Sequence, residues 1–284
     1  MKNKITLQEK FIELQQEKKA LLATNFYNFE TIKGVLEAAS SEKSPIILQL
    51  TKSSIDYLGL AVAMGLAQSM LKSYQVEGWI HLDHGSSYEL VAACLDAGFD
   101  SVMIDASEEP FEENVKITRS IVKLAERYGA NVEAELGYIA KLGQKTNTVG
   151  FTEPGDAKRF VEETGVNALA VAIGSAHGFY KDEPRIDLDR LAEIRKVTSA
   201  ALVLHGASGI PHDVLRESVK RGICKINLAT EIKNIFMKTL KNKLANEDEI
   251  DLRKVFPSAT LAVTELVRNK LQAIQIESNA QIKT

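Results

Sequence analysis

The feature that most restricts this chain is an alternation: a short apolar run followed by an amphipathic stretch, repeated eight times between residues 21 and 228. Strand-length apolar runs separated by segments of helical periodicity specify βα units wound around a parallel sheet. The candidate strands are Leu21–Phe26, Pro45–Leu50, Trp79–Asp83, Ser101–Asp105, Asn131–Leu136, Ala168–Gly174, Ala201–His205 and Ile223–Leu228. Helical patterns fall between them at Glu30–Ser40, Tyr88–Ala97, Glu112–Tyr128, Gly155–Thr164, Leu188–Thr198 and His212–Arg221, several followed by a glycine suited to a left-handed cap. Eight alternations predict a (β/α)8 TIM barrel in preference to an open doubly wound sheet, which uses the same local pattern. No linker, low-complexity segment or internal repeat interrupts the chain, so one unit over residues 1–284 is expected. The segment from Thr230 to Ala273 reads as helical with a break at Pro257: the last barrel helix and a C-terminal helical extension of the kind that covers a subunit contact.

Composition enters as exclusions. Thirty-five Lys and Arg against 38 Asp and Glu give a formal net charge of −3 without a run of like charge, so neither nucleic acid nor an anionic membrane has an electrostatic footprint to bind. An anionic ligand would need a local site. The two cysteines, Cys94 and Cys224, form no CxxC motif and no disulfide framework. The first residues lack an apolar signal region and no run of 18 apolar residues follows, so a cytoplasmic protein is expected.

Polar residues that are unusual in buried strands gather at the C-terminal ends of the predicted strands, the face on which barrel enzymes place their chemistry. Asp83 and His84 close the third strand, Asp105 the fourth and Glu135 the fifth; His177 follows the sixth, His205 closes the seventh and Asn227 lies near the end of the eighth. Three of the five histidines, His84, His177 and His205, stand at this rim, each before a glycine. Three imidazoles and an open position make a catalytic zinc arrangement, although imidazole also suits cobalt, iron or nickel. Asp83, beside one of these ligands, is the acid/base candidate. Asp105 and Glu135 are read as supporting groups or alternative metal ligands, and His81 as a buried partner of its neighbours.

Two segments, Gly206-Ala207-Ser208-Gly209 and Asn227-Leu228-Ala229-Thr230, follow strands seven and eight, where barrels cradle phosphate with backbone amides. Lys181 adds a charge nearby.

These residues resemble the class II, metal-dependent ketose-bisphosphate aldolases, the family of fructose- and tagatose-bisphosphate aldolases. The resemblance runs from about Ala20 to Leu271 and is carried by six ordered motifs: His81-Leu82-Asp83-His84-Gly85-Ser86, Ser101 to Ser107, Val132-Glu133-Ala134-Glu135-Leu136-Gly137, Ala170 to Gly178, Leu202 to Gly209 and Lys225 to Glu231. It implies zinc on His84, His177 and His205, with Asp83 exchanging the C4 hydroxyl proton of a ketose 1,6-bisphosphate. Cleavage between C3 and C4 would yield dihydroxyacetone phosphate and glyceraldehyde 3-phosphate. It further implies that Gly178, Lys181, Gly206, Ala207, Ser208, Asn227, Leu228, Ala229 and Thr230 hold dihydroxyacetone phosphate, with a monovalent cation, Na+ or K+, nearby. A homodimer or homotetramer is implied as well.

The chain departs from the family pattern twice. Tyr138-Ile139-Ala140-Lys141-Leu142-Gly143-Gln144-Lys145 stands where relatives carry a glycine pair and an acidic pair, so this loop lacks the carboxylate used at C3. Ala229 replaces the Asp or Asn of fructose-type enzymes and matches the tagatose type. After the second strand, Thr51, Lys52 and Ser53 are candidates for the substrate's distal group, a phosphate or the sulfonate of 6-deoxy-6-sulfofructose 1-phosphate, which would yield sulfolactaldehyde. Two other readings compete: a Schiff-base lyase using Lys225, and a non-catalytic sugar-phosphate-binding subunit, against which the intact Asp83 argues.

Overall fold

The structure, a computed structural model, describes residues 5–137, 139, 150–180 and 183–275. Its strands are β1 (Leu21–Asn25), β2 (Ile46–Thr51), β3 (Gly78–Gly85), β4 (Ser101–Ile104), β5 (Asn131–Leu136), β6 (Ala168–Val171), β7 (Ala201–Leu204) and β8 (Ile223–Leu228). They pair in parallel in sequence order, and β1 meets β8 with Ala23 opposite Asn227, so the sheet closes as a (β/α)8 TIM barrel. Closure leaves no sheet edge to protect.

Alternation along each strand sorts the side chains into two apolar populations. One faces the surrounding helices and includes Leu22, Leu48, Ile80, Val102, Val132, Leu169, Leu202 and Ile226. The other fills the base of the barrel with Leu21, Ala23, Ile47, Trp79, Ala168, Ala170, Ala201 and Val203. Above this base the inward positions are polar: Asn25, Gln49, His81, Asp83, Ser101, Asn131, Glu133, Glu135, His205, Lys225 and Asn227 are all buried. Polar groups so enclosed must satisfy one another, and this requirement builds the site.

The helices are α1 (Leu7–Glu17), α2 (Phe29–Ser41), α3 (Lys52–Leu58), α4 (Leu60–Tyr74), α5 (Tyr88–Asp96), α6 (Phe111–Ala125), α7 (Pro154–Thr164), α8 (Leu188–Val197), α9 (His212–Lys220), α10 (Thr230–Asn246) and α11 (Leu252–Ile274). Helix α1 was not foreseen from the sequence. Thr6 caps it and Glu9 returns the bond to the Thr6 amide, a reciprocal capping box. Its Leu7, Phe11 and Leu14 join the base cluster, and Trp79 Nε1 donates to the Ile5 carbonyl at 3.1 Å, so α1 plugs the end of the barrel opposite the rim. Helices α3 and α4, also unforeseen, turn by 94° at Gly59 and carry the chain from β2 to β3.

Pro257 does not break the C-terminal segment as the sequence predicts. It lies inside α11, where its missing N–H removes a single helical hydrogen bond. Burial of Val255, Ala259, Val263, Val267 and Leu271 offsets that loss, and α11 packs against α2 and α10. Among the described residues no single helix is long and apolar enough to cross a membrane, and Cys94 and Cys224 are both buried and unbridged.

The plug is testable. Truncating a buried Phe costs about 3–5 kcal/mol, so Phe11→Ala should lower the unfolding free energy in urea by about that amount. A loss below about 0.5 kcal/mol, the range of surface substitutions, would show that α1 does not close the core.

Candidate metal centre and its cavity

Three rim histidines converge from three separate strand ends. Ring centroids lie 5.0 Å apart for His84 and His177, 4.9 Å for His84 and His205, and 5.8 Å for His177 and His205. With Glu135 they form a group in which one ligand atom from each residue lies within 4.8 Å of all the others.

Local backbone chemistry explains the approach. His84 adopts φ +51°, a left-handed conformation that non-glycine residues rarely take and that is found at functional sites. Gly85 then passes so near the Met103 carbonyl that a Cβ would collide with it. Gly206 adopts φ +67°, and a Cβ there would collide with the Ala176 carbonyl, so the loop bearing His177 rests directly on the residue after His205. The Tyr180 hydroxyl bolts the same two loops together: it accepts the Ala176 N–H at 2.8 Å and donates to the Gly206 carbonyl at 2.8 Å.

Each imidazole's orientation follows from its other contacts. His84 Nδ1 meets Asp105 Oδ2 at 2.7 Å, and Asp105 Oδ1 accepts the Ser107 hydroxyl at 2.7 Å. His205 Nε2 meets Glu133 Oε1 at 2.9 Å, which leaves Nδ1 directed toward Glu135, 3.3 Å from its Oε2. His205 Nδ1 and Glu135 Oε2 are buried yet make no hydrogen bond. Two orphaned donors of this kind, next to two further imidazoles, fit a borderline-soft divalent cation. Burial would lower the pKa of His205, but the Glu133 and Glu135 carboxylates raise it to about 9; burial and the neighbouring histidines lower His177 to about 3.

Asp83 is braced from three strands. Asn25 Nδ2 donates to Oδ2 at 2.9 Å, Asn227 Nδ2 to Oδ1 at 3.3 Å, and Gln49 Nε2 holds Asn25 Oδ1 at 2.8 Å. Burial pushes the Asp83 pKa up, but His84, His205, Lys225 and the Asn25 hydrogen bond outweigh it and hold the carboxyl below its ordinary value.

A cavity of about 250 Å³ opens above these groups, lined by Asn25, Tyr27, Gln49, Thr51, Ser53, Asp83, His84, His177, Gly178, Gly206, Ser208, Asn227, Ala229, Thr230 and Lys233. It gathers most of the positions singled out from the sequence. Ala207 and Leu228 are buried behind its lining. His81 is enclosed, with Nδ1 2.8 Å from Ser101 Oγ. Lys52 stands apart from this lining: at the first turn of α3 its ammonium pairs with Asp56 at 2.5 Å, and among the described residues the cation lining the cavity is Lys233, 5.5 Å from the Tyr27 ring centroid. Lys225 is no free amine; its Nζ is fully buried 2.7 Å from Glu133 Oε2. Lys181 and the departing loop, apart from Ile139, lie outside the described residues. Asn25, Tyr27, Gln49, Glu133 and Lys233 were missed from the sequence. Glu133 was within reach, since it shares an inward strand face with Glu135.

The sequence profile of the family described as "Fructose-bisphosphate aldolase class-II" matches residues 5–279. A protein named fructose-bisphosphate aldolase from Helicobacter pylori (strain J99) is 38% identical over 282 residues, covering 89% of this chain and 92% of its own. The crystal structure of the YdjI aldolase from Escherichia coli K12 superposes with TM-score 0.86 at 31% identity, over 97% of this chain and 98% of that one. A putative fructose-1,6-bisphosphate aldolase from Coccidioides immitis gives TM-score 0.87 at 28% identity, over 96% and 97% of the two chains.

The metal centre predicts a graded outcome. Zn2+ titrated into chelator-treated protein should bind at one high-affinity site, and Asp105→Ala should weaken it by about 10–100-fold, the usual loss when a ligand's orienting partner is removed. Equal affinity in the two proteins would show that Asp105 does not orient a metal ligand.

Proposed function

Since the chain belongs to the class II fructose-bisphosphate aldolase family of carbon–carbon lyases, we propose that it reversibly cleaves a ketose 1,6-bisphosphate to dihydroxyacetone phosphate and glyceraldehyde 3-phosphate. In this reading His84, His177 and His205 hold zinc, with Glu135 within reach as a further ligand. The observation that carries it is one cavity in which a braced, ionised carboxylate, two of the clustered imidazoles and two amide-rich loops face the same space.

When bound, the metal supplies Lewis-acid polarisation of the ketone oxygen, where negative charge develops as the carbon–carbon bond breaks. The protein's own groups do the rest. Asp83, ionised because its pKa is held down, takes the C4 hydroxyl proton; the C4 oxygen becomes the aldehyde carbonyl, the C3–C4 bonding pair moves toward C2, and C3 then takes a proton from water to give dihydroxyacetone phosphate while Asp83 returns its proton to solvent. Asn25 and Asn227 fix both Asp83 oxygens, so proton transfer requires no reorganisation of the carboxylate. Gly178, Gly206, Ser208, Ala229 and Thr230 face the phosphate of the dihydroxyacetone moiety. Monovalent Na+ or K+ beside that phosphate belongs to the same reading.

The distal group would meet Thr51, Ser53 and Lys233, whose hydroxyls and ammonium suit a phosphate or a sulfonate. Ala229 supports a tagatose-type substrate, while the curated relatives carry the fructose name. A homodimer or homotetramer is part of the proposal, supported by exposed apolar side chains at Tyr57, Val62, Ile250 and Leu252. So is a cytoplasmic site of action, supported by the unbridged thiols.

Lyase activity on fructose 1,6-bisphosphate, tagatose 1,6-bisphosphate and 6-deoxy-6-sulfofructose 1-phosphate tests the reading. Chelation should abolish cleavage and Zn2+ restore it, and Asp83→Ala should reduce kcat by about 10²–10⁴-fold with zinc retained. Full activity in metal-free protein, or unchanged turnover without Asp83, would refute it.

A further inference from the structure

The loop after β7 and the start of α10 form one wall of the cavity, presenting Gly206, Ser208, Ala229 and Thr230. Behind that wall stands a carboxylate. Glu231 Oε1 accepts the Gly209 N–H at 2.5 Å, and the Glu231 N–H donates to Ser208 Oγ at 3.3 Å, so one residue ties the two segments together twice. A negative charge in the first turn of α10 stabilises the helix, but it also opposes an anion held at the same end.

Lys270, from α11, meets this charge. Its Nζ lies 3.2 Å from the same Glu231 Oε1, with side chains only 6% and 13% exposed. Enclosing a lysine costs desolvation, and replacing a buried ion pair by apolar side chains is often neutral or stabilising. Stability alone therefore explains this pair poorly, whereas its position directly behind the anion-facing wall explains it well.

We propose that Lys270 is a positioning residue for the substrate phosphate. By cancelling the charge of Glu231, it allows one carboxylate to lock the two anion-facing segments together without repelling the anion. It thereby couples the C-terminal helix to affinity for phosphate-bearing ligands. The identity of the anion rests on the aldolase reading above; the charge compensation rests on the Glu231 and Lys270 geometry.

The experiment is calorimetric titration of dihydroxyacetone phosphate into zinc-loaded wild type, Lys270→Met, Glu231→Gln and the double variant. Lys270→Met should bind about tenfold more weakly, because an uncompensated carboxylate then stands behind the site. Glu231→Gln keeps an oxygen for the Gly209 amide and frees the lysine charge, so it should bind at least as tightly as wild type. The double variant should return to within about threefold of wild type, the coupling expected of one charge pair. A purely structural role predicts weakening in all three, and that pattern, or wild-type affinity in Lys270→Met, overturns the proposal. Should Lys270→Met fold poorly, the sign of the Glu231→Gln change decides, weaker binding overturning the proposal. No binding by the wild type sinks the aldolase reading and this proposal with it.

Discussion

A carboxylate with no exposure to solvent, Glu133, organises the interior of the barrel by dividing its two oxygens between two partners. Oε2 takes Lys225 Nζ at 2.7 Å and Oε1 takes His205 Nε2 at 2.9 Å. Breaking up such a group would leave an unpaired buried charge, at a cost of about 3–5 kcal/mol, so its members are held in one geometry. Burial pushes the Glu133 carboxyl up, but Lys225, His205 and His81 hold it well below the usual range. Lys225 Nζ also lies 3.3 Å from His81 Nε2, which leaves His81 Nδ1 facing Ser101. The layer joins the apolar base to the polar rim, and it turns His205 so that Nδ1 faces Glu135.

The chemistry at the rim depends on that orientation. His205 meets His84 and His177 only because it is pinned from below, His84 only because Asp105 holds its far nitrogen, and the two loops only because Tyr180 and Gly206 let them touch. Asp83 is placed by a second, independent set of contacts, the amides of Asn25 and Asn227 backed by Gln49. The two sets meet on β3, which carries Asp83 and His84 side by side. A closed barrel keeps them within one cavity without a long connecting loop, as in enzymes that draw catalytic groups from many strand ends.

The strands were legible because apolar runs bounded by periodic segments leave few alternatives, and the rim histidines and acids because charged residues at strand ends are unusual. Asn25, Gln49 and Lys225 were harder to read as a network, because inward-facing polar positions become recognisable only when the barrel's interior is known to be polar above its base. Glu133 and Lys233 illustrate two further limits. One sits a pleat below a residue already singled out, and the other lies one helical turn past Thr230, so that only the start of α10 brings it to the same cavity. Helix α1 had a signal, Thr6 with Glu9 three residues on, but its partner Trp79 is more than seventy residues away. Its place after β2 predicts Lys52 as a contact for the distal group, yet the start of α3 directs it along its own helix to Asp56. Proline's tendency to end helices predicts a break at Pro257, which packing of α11 against α2 and α10 overrides.

The central proposal is that His84, His177 and His205 would hold a single metal ion, His205 through Nδ1, because Glu133 already occupies Nε2. Anomalous diffraction at the zinc edge from crystals of the zinc-loaded protein tests it most directly. The account predicts one strong peak at about 2.0–2.1 Å, the zinc–imidazole distance, from a nitrogen of each of the three rings, on the Nδ1 side of His205. A peak on the Nε2 side of His205, or zinc bound away from the three imidazoles, would contradict it.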